Sequence, residues 1–139
     1  MRVVWILSFI FLLTLPVSAE LPSALASPYL RIHIALSDDS TEGVEAAATA
    51  LEDAALALGQ EATDIASAAK SVAEAKAIKE ARNMFSLLSN ALIDYSRAVG
   101  LGDLKIAYCP MADESWVQSD GAIANPYYGS AMLTCGSFR

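Results

Sequence analysis

Four sulfur atoms near the C-terminus are the groups best placed to do chemistry. Cys109 and Met111 stand two residues apart around Pro110, and on an extended segment that spacing turns both side chains to one side. Met132 and Cys135 stand three apart across what reads as a tight turn. Thiolate and thioether sulfur selects Cu(I) or Ag(I) over hard cations, so two converging arms would offer Cys109, Met111, Met132 and Cys135 as ligands. Trp116 is close enough in sequence to lie over a bound cation, and His33, the sole imidazole, is a further candidate. The same residues carry a second reading. A disulfide between Cys109 and Cys135 would close a loop of about 27 residues and stabilise by roughly 3.5 kcal/mol in the chain-entropy argument, leaving Met111 and Met132 as gap-filling core residues. The two states can alternate with redox conditions, and residue types alone leave both open.

Other chemistry is thin. There is no HExxH pair, no Gly-rich phosphate loop and no Ser with an evident base, so no catalytic set assembles and enzymatic activity is not expected. His33 reads as a partly exposed helix residue rather than a base. The acidic pairs Asp38/Asp39, Glu52/Asp53 and Asp113/Glu114 read as solvated turns or faces. Cys109 and Cys135 lack CxxC spacing and a basic neighbour to lower a thiol pKa, which disfavours a thiol oxidoreductase.

The chain that must position these groups is short and acidic. Its 139 residues fit one domain, and its 55% hydrophobic content owes much to alanine between Ala46 and Ala81. A charge of −7 and a pI near 4.5, with no Lys/Arg cluster, exclude nucleic acid and anionic membrane surfaces as partners. Residues 1–19 read as a signal peptide. Arg2 supplies the positive end, Val3 to Leu15 the apolar stretch, and Pro16-Val17-Ser18-Ala19 a cleavage-compatible close after Ala19. The apolar run falls short of the roughly 20 residues a membrane span needs, so no membrane association is expected after cleavage. The expected product is exported and soluble, most naturally periplasmic, where an even cysteine count favours a disulfide.

Hydrophobic spacing then predicts a mainly α fold: a three- or four-helix up-down bundle over residues 20–102, with an irregular, partly β tail over 103–139 packed on it in the same domain. Ser27-Pro28 reads as the start of a first helix ending at Ser37-Asp38-Asp39-Ser40, and Thr41 as the cap of a second with Val44, Ala47, Ala48, Leu51, Ala54, Ala55 and Leu58 on its apolar line. A third segment, Glu61 to Ala75, carries Ile65, Ala68, Ala69, Val72 and Ala75. The strongest line is Ile78, Ala81, Phe85, Leu88, Leu92, Tyr95, Val99, about 33 Å of helix at 1.5 Å per residue. Glu80 falls on its solvent face. Whether the segments 61–75 and 76–99 are one helix or two is open, because neither Pro nor Gly separates them. In the tail, Leu104 to Tyr108 and Trp116 to Gln118 read as short strands, and Asn125-Pro126-Tyr127-Tyr128-Gly129 as turn chemistry with aromatic packing.

The tail, in the pieces Cys109-Pro110-Met111-Ala112, Trp116 with Ser119, Asn125-Pro126-Tyr127-Tyr128-Gly129 and Met132-Leu133-Thr134-Cys135-Gly136, resembles the C-terminal signature of a domain-of-unknown-function family. That family is found alone in exported proteins or appended to CusB-type heavy-metal efflux adaptors. The run Ala81, Arg82, Phe85, Leu88, Ser89, Leu92 is similar to it as well. The resemblance implies a helical bundle with a sulfur-bearing tail associated with copper or silver handling, and no established catalytic activity. The family pattern has His before the first Cys where this chain has Tyr108, which removes one candidate ligand, and the stretch between Met111 and Trp116 is shorter here. The expected function is therefore soft-metal binding, or an accessory role in metal efflux, in the periplasm. The alternative is a structural interaction module in which the Cys109–Cys135 disulfide pins the tail and Trp116, Tyr127 and Tyr128 meet a partner such as an efflux adaptor.

Overall fold

The computed structural model describes residues 20–139, so the expected signal peptide lies outside the described residues. Four helices follow in order: α1 Ser23–Ser37, α2 Val44–Leu58, α3 Thr63–Glu74 and α4 Ile78–Val99. Each packs on the next across a short connection, as in an up-down bundle. Among the described residues no helix is long and apolar enough to cross a membrane.

α1 starts a turn earlier than Ser27-Pro28 suggests, and Pro28 sits inside it. The reason is burial. Leu21, Leu25, Tyr29, Ile32 and Leu36 recur every three or four residues, and the last four are fully buried, so the helical face begins before the proline. Pro28 therefore withholds the amide that the Ala24 carbonyl would otherwise accept. At the other end Asp39 adopts φ 55°, and the Ser40 amide donates to the Ala35 carbonyl at 2.8 Å, closing a Schellman turn with Asp where Gly is usual.

α2 opens at Gly43, with φ 74°, rather than on a Thr41 side-chain cap. It buries Val44, Ala47, Ala48, Leu51 and Ala55, whereas Leu58, at its last residue, is 44% exposed. Ala62, Ala66 and Ala69 are buried opposite, and these small side chains let α2 and α3 approach closely. A 3₁₀ turn, Gln60–Ala62, delays the start of α3 to Thr63.

The connection at Ala75 to Ala77 resolves the open question: α3 and α4 are two helices. Ala75 and Ala77 are extended, and the Glu80 carboxylate accepts the Lys76 amide at 2.8 Å, a relative of the capping box. Glu80 is solvent-exposed as expected, but it is not idle. The α4 seam holds, with Ala81, Phe85, Leu88 and Leu92 buried, and it is widened by Ser86, Ser89, Ile93 and Ser96, since α4 also packs on elements beyond the bundle.

Those elements are a three-stranded antiparallel sheet of order β2-β1-β3: β1 Leu104–Cys109, β2 Glu114–Ser119 and β3 Ser137–Phe138. Strand β2 packs on α4 and also touches α1. Ala107, Cys109, Trp116 and Val117 are fully buried in the same core as the helices, so the tail is part of the hydrophobic interior.

Replacing Phe85 with Ala, a fully buried ring stacked 5.0 Å from Tyr29, is expected to cost about 3–5 kcal/mol. Glu80→Ala should cost about 0.5–1 kcal/mol through its lost cap rather than nothing. Urea midpoints at constant m-value measure both.

Candidate functional site

Of the residues singled out for chemistry, His33 and Trp116 lie buried where the tail meets the helices, and Cys109 and Cys135 tie the tail to itself. Cys109, at the end of β1, and Cys135 form a disulfide with Cα atoms 5.5 Å apart. Met111 does not continue the extended strand. The ladder ends at Cys109 opposite Glu114, and the turn between them, with Asp113 at φ 53°, leaves Met111 65% exposed while Cys109 is buried. Met132 is half-buried, and its carbonyl accepts the Cys135 amide at 3.0 Å, so the tight turn predicted there is present. Among the described residues no group of three or more His, Cys, Asp or Glu is gathered to hold a metal ion.

His33 is not partly exposed. It is buried at 4% exposure, with Nε2 2.8 Å from the Ala124 carbonyl. A carbonyl only accepts, so Nε2 carries the proton and donates. Ser37 Oγ donates to the same carbonyl at 3.2 Å, and burial pushes the His33 pKa below its ordinary 6.5. Trp116 is likewise fully buried. Its indole N–H donates to Gln118 Oε1 at 2.9 Å, and that oxygen also accepts the Ala124 amide at 3.1 Å. The expectation that Trp116 covers a cation or meets a partner is therefore corrected. Packing a large indole under the helices buries more apolar area than leaving it outside. The close cation–π contact in this region is Arg139 over Tyr108, 3.6 Å from the ring centroid.

Asn125-Pro126-Tyr127-Tyr128-Gly129 is the latch. Asn125 is fully buried. Its Oδ1 accepts the amides of Tyr127 at 2.8 Å and Tyr128 at 3.1 Å, while Nδ2 donates to the Cys135 carbonyl at 2.9 Å. One side chain thus shapes the turn and ties it to the disulfide arm. Tyr127 donates to the Ser115 carbonyl at 2.6 Å, and its ring lies 6.0 Å from Trp116 and 6.1 Å from Phe85. Tyr127, half-buried, thereby has its hydroxyl and ring engaged within the molecule. Tyr128, half-buried, donates to the Met111 carbonyl at 3.1 Å.

Asp39 and Arg82, neither expected to pair with the tail, complete the latch. Arg82 donates from Nε to the Pro126 carbonyl at 2.8 Å, and from Nη2 to the Leu36 carbonyl at 2.8 Å and to Asp39 Oδ1 at 2.7 Å. Asp39 Oδ2 accepts the amide of Ser130 at 3.1 Å and its hydroxyl. Asp39 is thus an exposed turn residue, as expected, but its carboxylate is bound on both oxygens. The hydrogen bonds from Ser130, then Arg82, lower its pKa to about 2. Gly129, at φ 57°, leaves the space this requires, because a Cβ there would collide with the Asp39 carboxylate and the Arg82 guanidinium. The sequence signals were an Asp at a helix break and an Arg beside Ala81 at the edge of the α4 seam.

The family described as "Protein of unknown function (DUF3347)" matches residues 25–103, and the chain belongs to that family. The matched stretch runs from Leu25 in α1 to just short of β1, so the tail lies beyond it. No curated protein and no solved structure matches the chain.

Asn125→Ala is expected to lower stability by about 2–4 kcal/mol, since it strands two amides and a carbonyl in the interior, as read from urea midpoints. The neutral His33 makes stability pH-dependent. The unfolded chain takes up the proton near pH 6.5 while the folded one resists, so stability should fall as pH drops below 6.5. The His33→Gln variant should flatten that slope between about pH 6.5 and 5, above the range of ordinary carboxylates.

Proposed function

We propose that this DUF3347-family chain is a non-enzymatic, exported interaction module that docks on a partner protein such as a periplasmic heavy-metal efflux adaptor. The observation that carries this reading is where the reactive and polar side chains are spent. Cys109 and Cys135 are bonded to each other, His33 is held by Ala124, Asn125 by three backbone groups and Trp116 by Gln118. A domain that commits these groups to its own fold presents surface rather than a reactive cleft. The adaptor as partner is supported by the resemblance of the tail.

A second reading is soft-metal binding by the reduced protein. It is favoured by one feature: both methionines adjoin the bridge along the chain, with Met111 exposed beyond Cys109 and Met132 turned back on Cys135. A dithiol reductant supplying two electrons and two protons would open the disulfide to two thiols. Cys109 and Cys135, as thiolates, with Met111 and Met132 as thioethers, would then be the ligands for Cu(I) or Ag(I).

Two parallel titrations separate the readings. The oxidised protein is titrated with the efflux adaptor of the same organism, and the reduced protein competes against a Cu(I) chelator alongside Cys109→Ser, Cys135→Ser, Met111→Leu and Met132→Leu. The interaction reading expects saturable adaptor binding by the oxidised form and no cysteine-dependent Cu(I) uptake. Absence of adaptor binding, together with Cu(I) uptake that either Cys→Ser variant abolishes and the Met→Leu variants only weaken, would overturn it in favour of the metal site.

A further inference from the structure

Among the described residues, the tail occupies one side of α4 and leaves another uncovered. Ala91, Tyr95 and Ala98 lie on a face of α4 different from that of Arg82 and Ser89, and together with the N-terminal end of α3 they bound a groove of about 540 Å³. Its floor of buried and half-buried lining residues is apolar, made by Ile65, Ala91, Tyr95 and Val99, and its exposed rim carries Ala98 with Glu61, Asp64 and Asp94 and no Lys or Arg in the lining. Arg97 pairs with Asp94 at 3.2 Å but is itself highly exposed, so the rim keeps a surplus of two negative charges. None of these side chains takes part in the tail latch.

We propose that this groove seats a basic amphipathic helix of a partner protein. The inference rests on the interaction-module reading and names its docking face. Three features of the groove fit that occupant. The α4 lining recurs at residues 91, 94, 95, 98 and 99, the i, i+3, i+4, i+7 spacing of a helical stripe, so the groove runs along the helix axis for about two turns. Ala91 and Ala98 are small, which lets another helix approach closely, while Tyr95 and Ile65 offer apolar contact to its buried face. Charge complementarity selects the sign. Lysine or arginine beside the partner's apolar stripe can lay its aliphatic stem on the floor and its charged head among the rim carboxylates, and the −7 charge of the chain repels an acidic helix and steers a basic one toward it.

The test uses the oxidised protein and two synthetic helical peptides of equal length, one of Leu and Lys and one of Leu and Glu, followed by fluorescence anisotropy at physiological ionic strength. The Leu/Lys peptide is expected to bind and the Leu/Glu peptide not. The pair Asp64→Asn with Asp94→Asn should weaken binding by about tenfold or more. Ala98→Trp, which fills the groove at an exposed position without changing charge, should do the same. The pair Glu45→Gln with Asp53→Asn removes equal charge from exposed positions of α2 and should stay within about twofold. Equal weakening by the two charge pairs, with no effect of Ala98→Trp, would mean that overall charge alone holds the peptide and would overturn the proposal. Adaptor binding that survives both groove variants would also overturn it, while leaving the interaction-module reading in place.

Discussion

The Tyr29 phenol oxygen is the point on which the architecture turns. It lies 2.7 Å from Ser89 Oγ on α4 and accepts the Val117 amide of β2 at 3.0 Å, so one buried oxygen joins the first helix, the last helix and the tail. Val117 belongs to an outer strand of the sheet, and an unpaired edge amide in a dry interior would be costly. Tyr29 satisfies it. The phenol is fully buried, and desolvation holds its pKa above the ordinary value of 10, which keeps the hydroxyl protonated as the junction requires. Its ring stacks on Phe85, so the polar junction is framed by the largest apolar contacts of the bundle.

The rest of the tail is arranged around that junction. Trp116, next to Val117, is buried beneath the helices, and Gln118 orders the loop that brings Ala124 to His33. Asn125 then sets the turn from which Pro126 meets Arg82 and Ser130 meets Asp39. The disulfide closes the arm at its far end by joining Cys135 to the buried end of β1. By restricting the unfolded chain it stabilises by roughly 3.5 kcal/mol in the chain-entropy argument. A small helical bundle rich in alanine has little apolar volume of its own, and the tail supplies to its core the Trp116 indole, Ala107, Val117 and the disulfide-bonded Cys109, with the partly buried Tyr127 ring packed against them. Buried polar contacts give this contact its specificity, since each has a single partner geometry.

How much of this was legible in the sequence follows from the range of the forces involved. The α4 seam was readable because its apolar residues repeat every three or four positions, and both hairpin strands were readable from local composition. The break between α3 and α4 had a local mark, Glu80 three residues after Ala77, but no Gly or Pro to draw notice to it. The start of α1 was misplaced because proline is a strong local signal, and burial of Leu25 overrides it. The pairings of His33, Asp39 and Arg82 were not foreseen because their partners lie between 43 and 91 residues away. No window of sequence displays a pairing of that span. The cysteines posed a different difficulty: disulfide and soft-metal site use the same atoms, and only their joining at 5.5 Å between Cα atoms distinguishes the form present here.

The central claim is that tail and bundle are one cooperative unit joined at Tyr29. Native-state hydrogen exchange on the oxidised protein tests it most directly, by comparing the Val117 amide and the amides of residues 125–135 with core amides of α1 and α4. The account predicts that Val117, Tyr127 and Tyr128 exchange only through the global unfolding that exposes the helix cores, with the same opening free energy and the same denaturant dependence. Tail amides that exchange through a separate opening of markedly lower free energy, while α1 and α4 keep their full protection, would show a bundle that stands without its tail and would contradict the account.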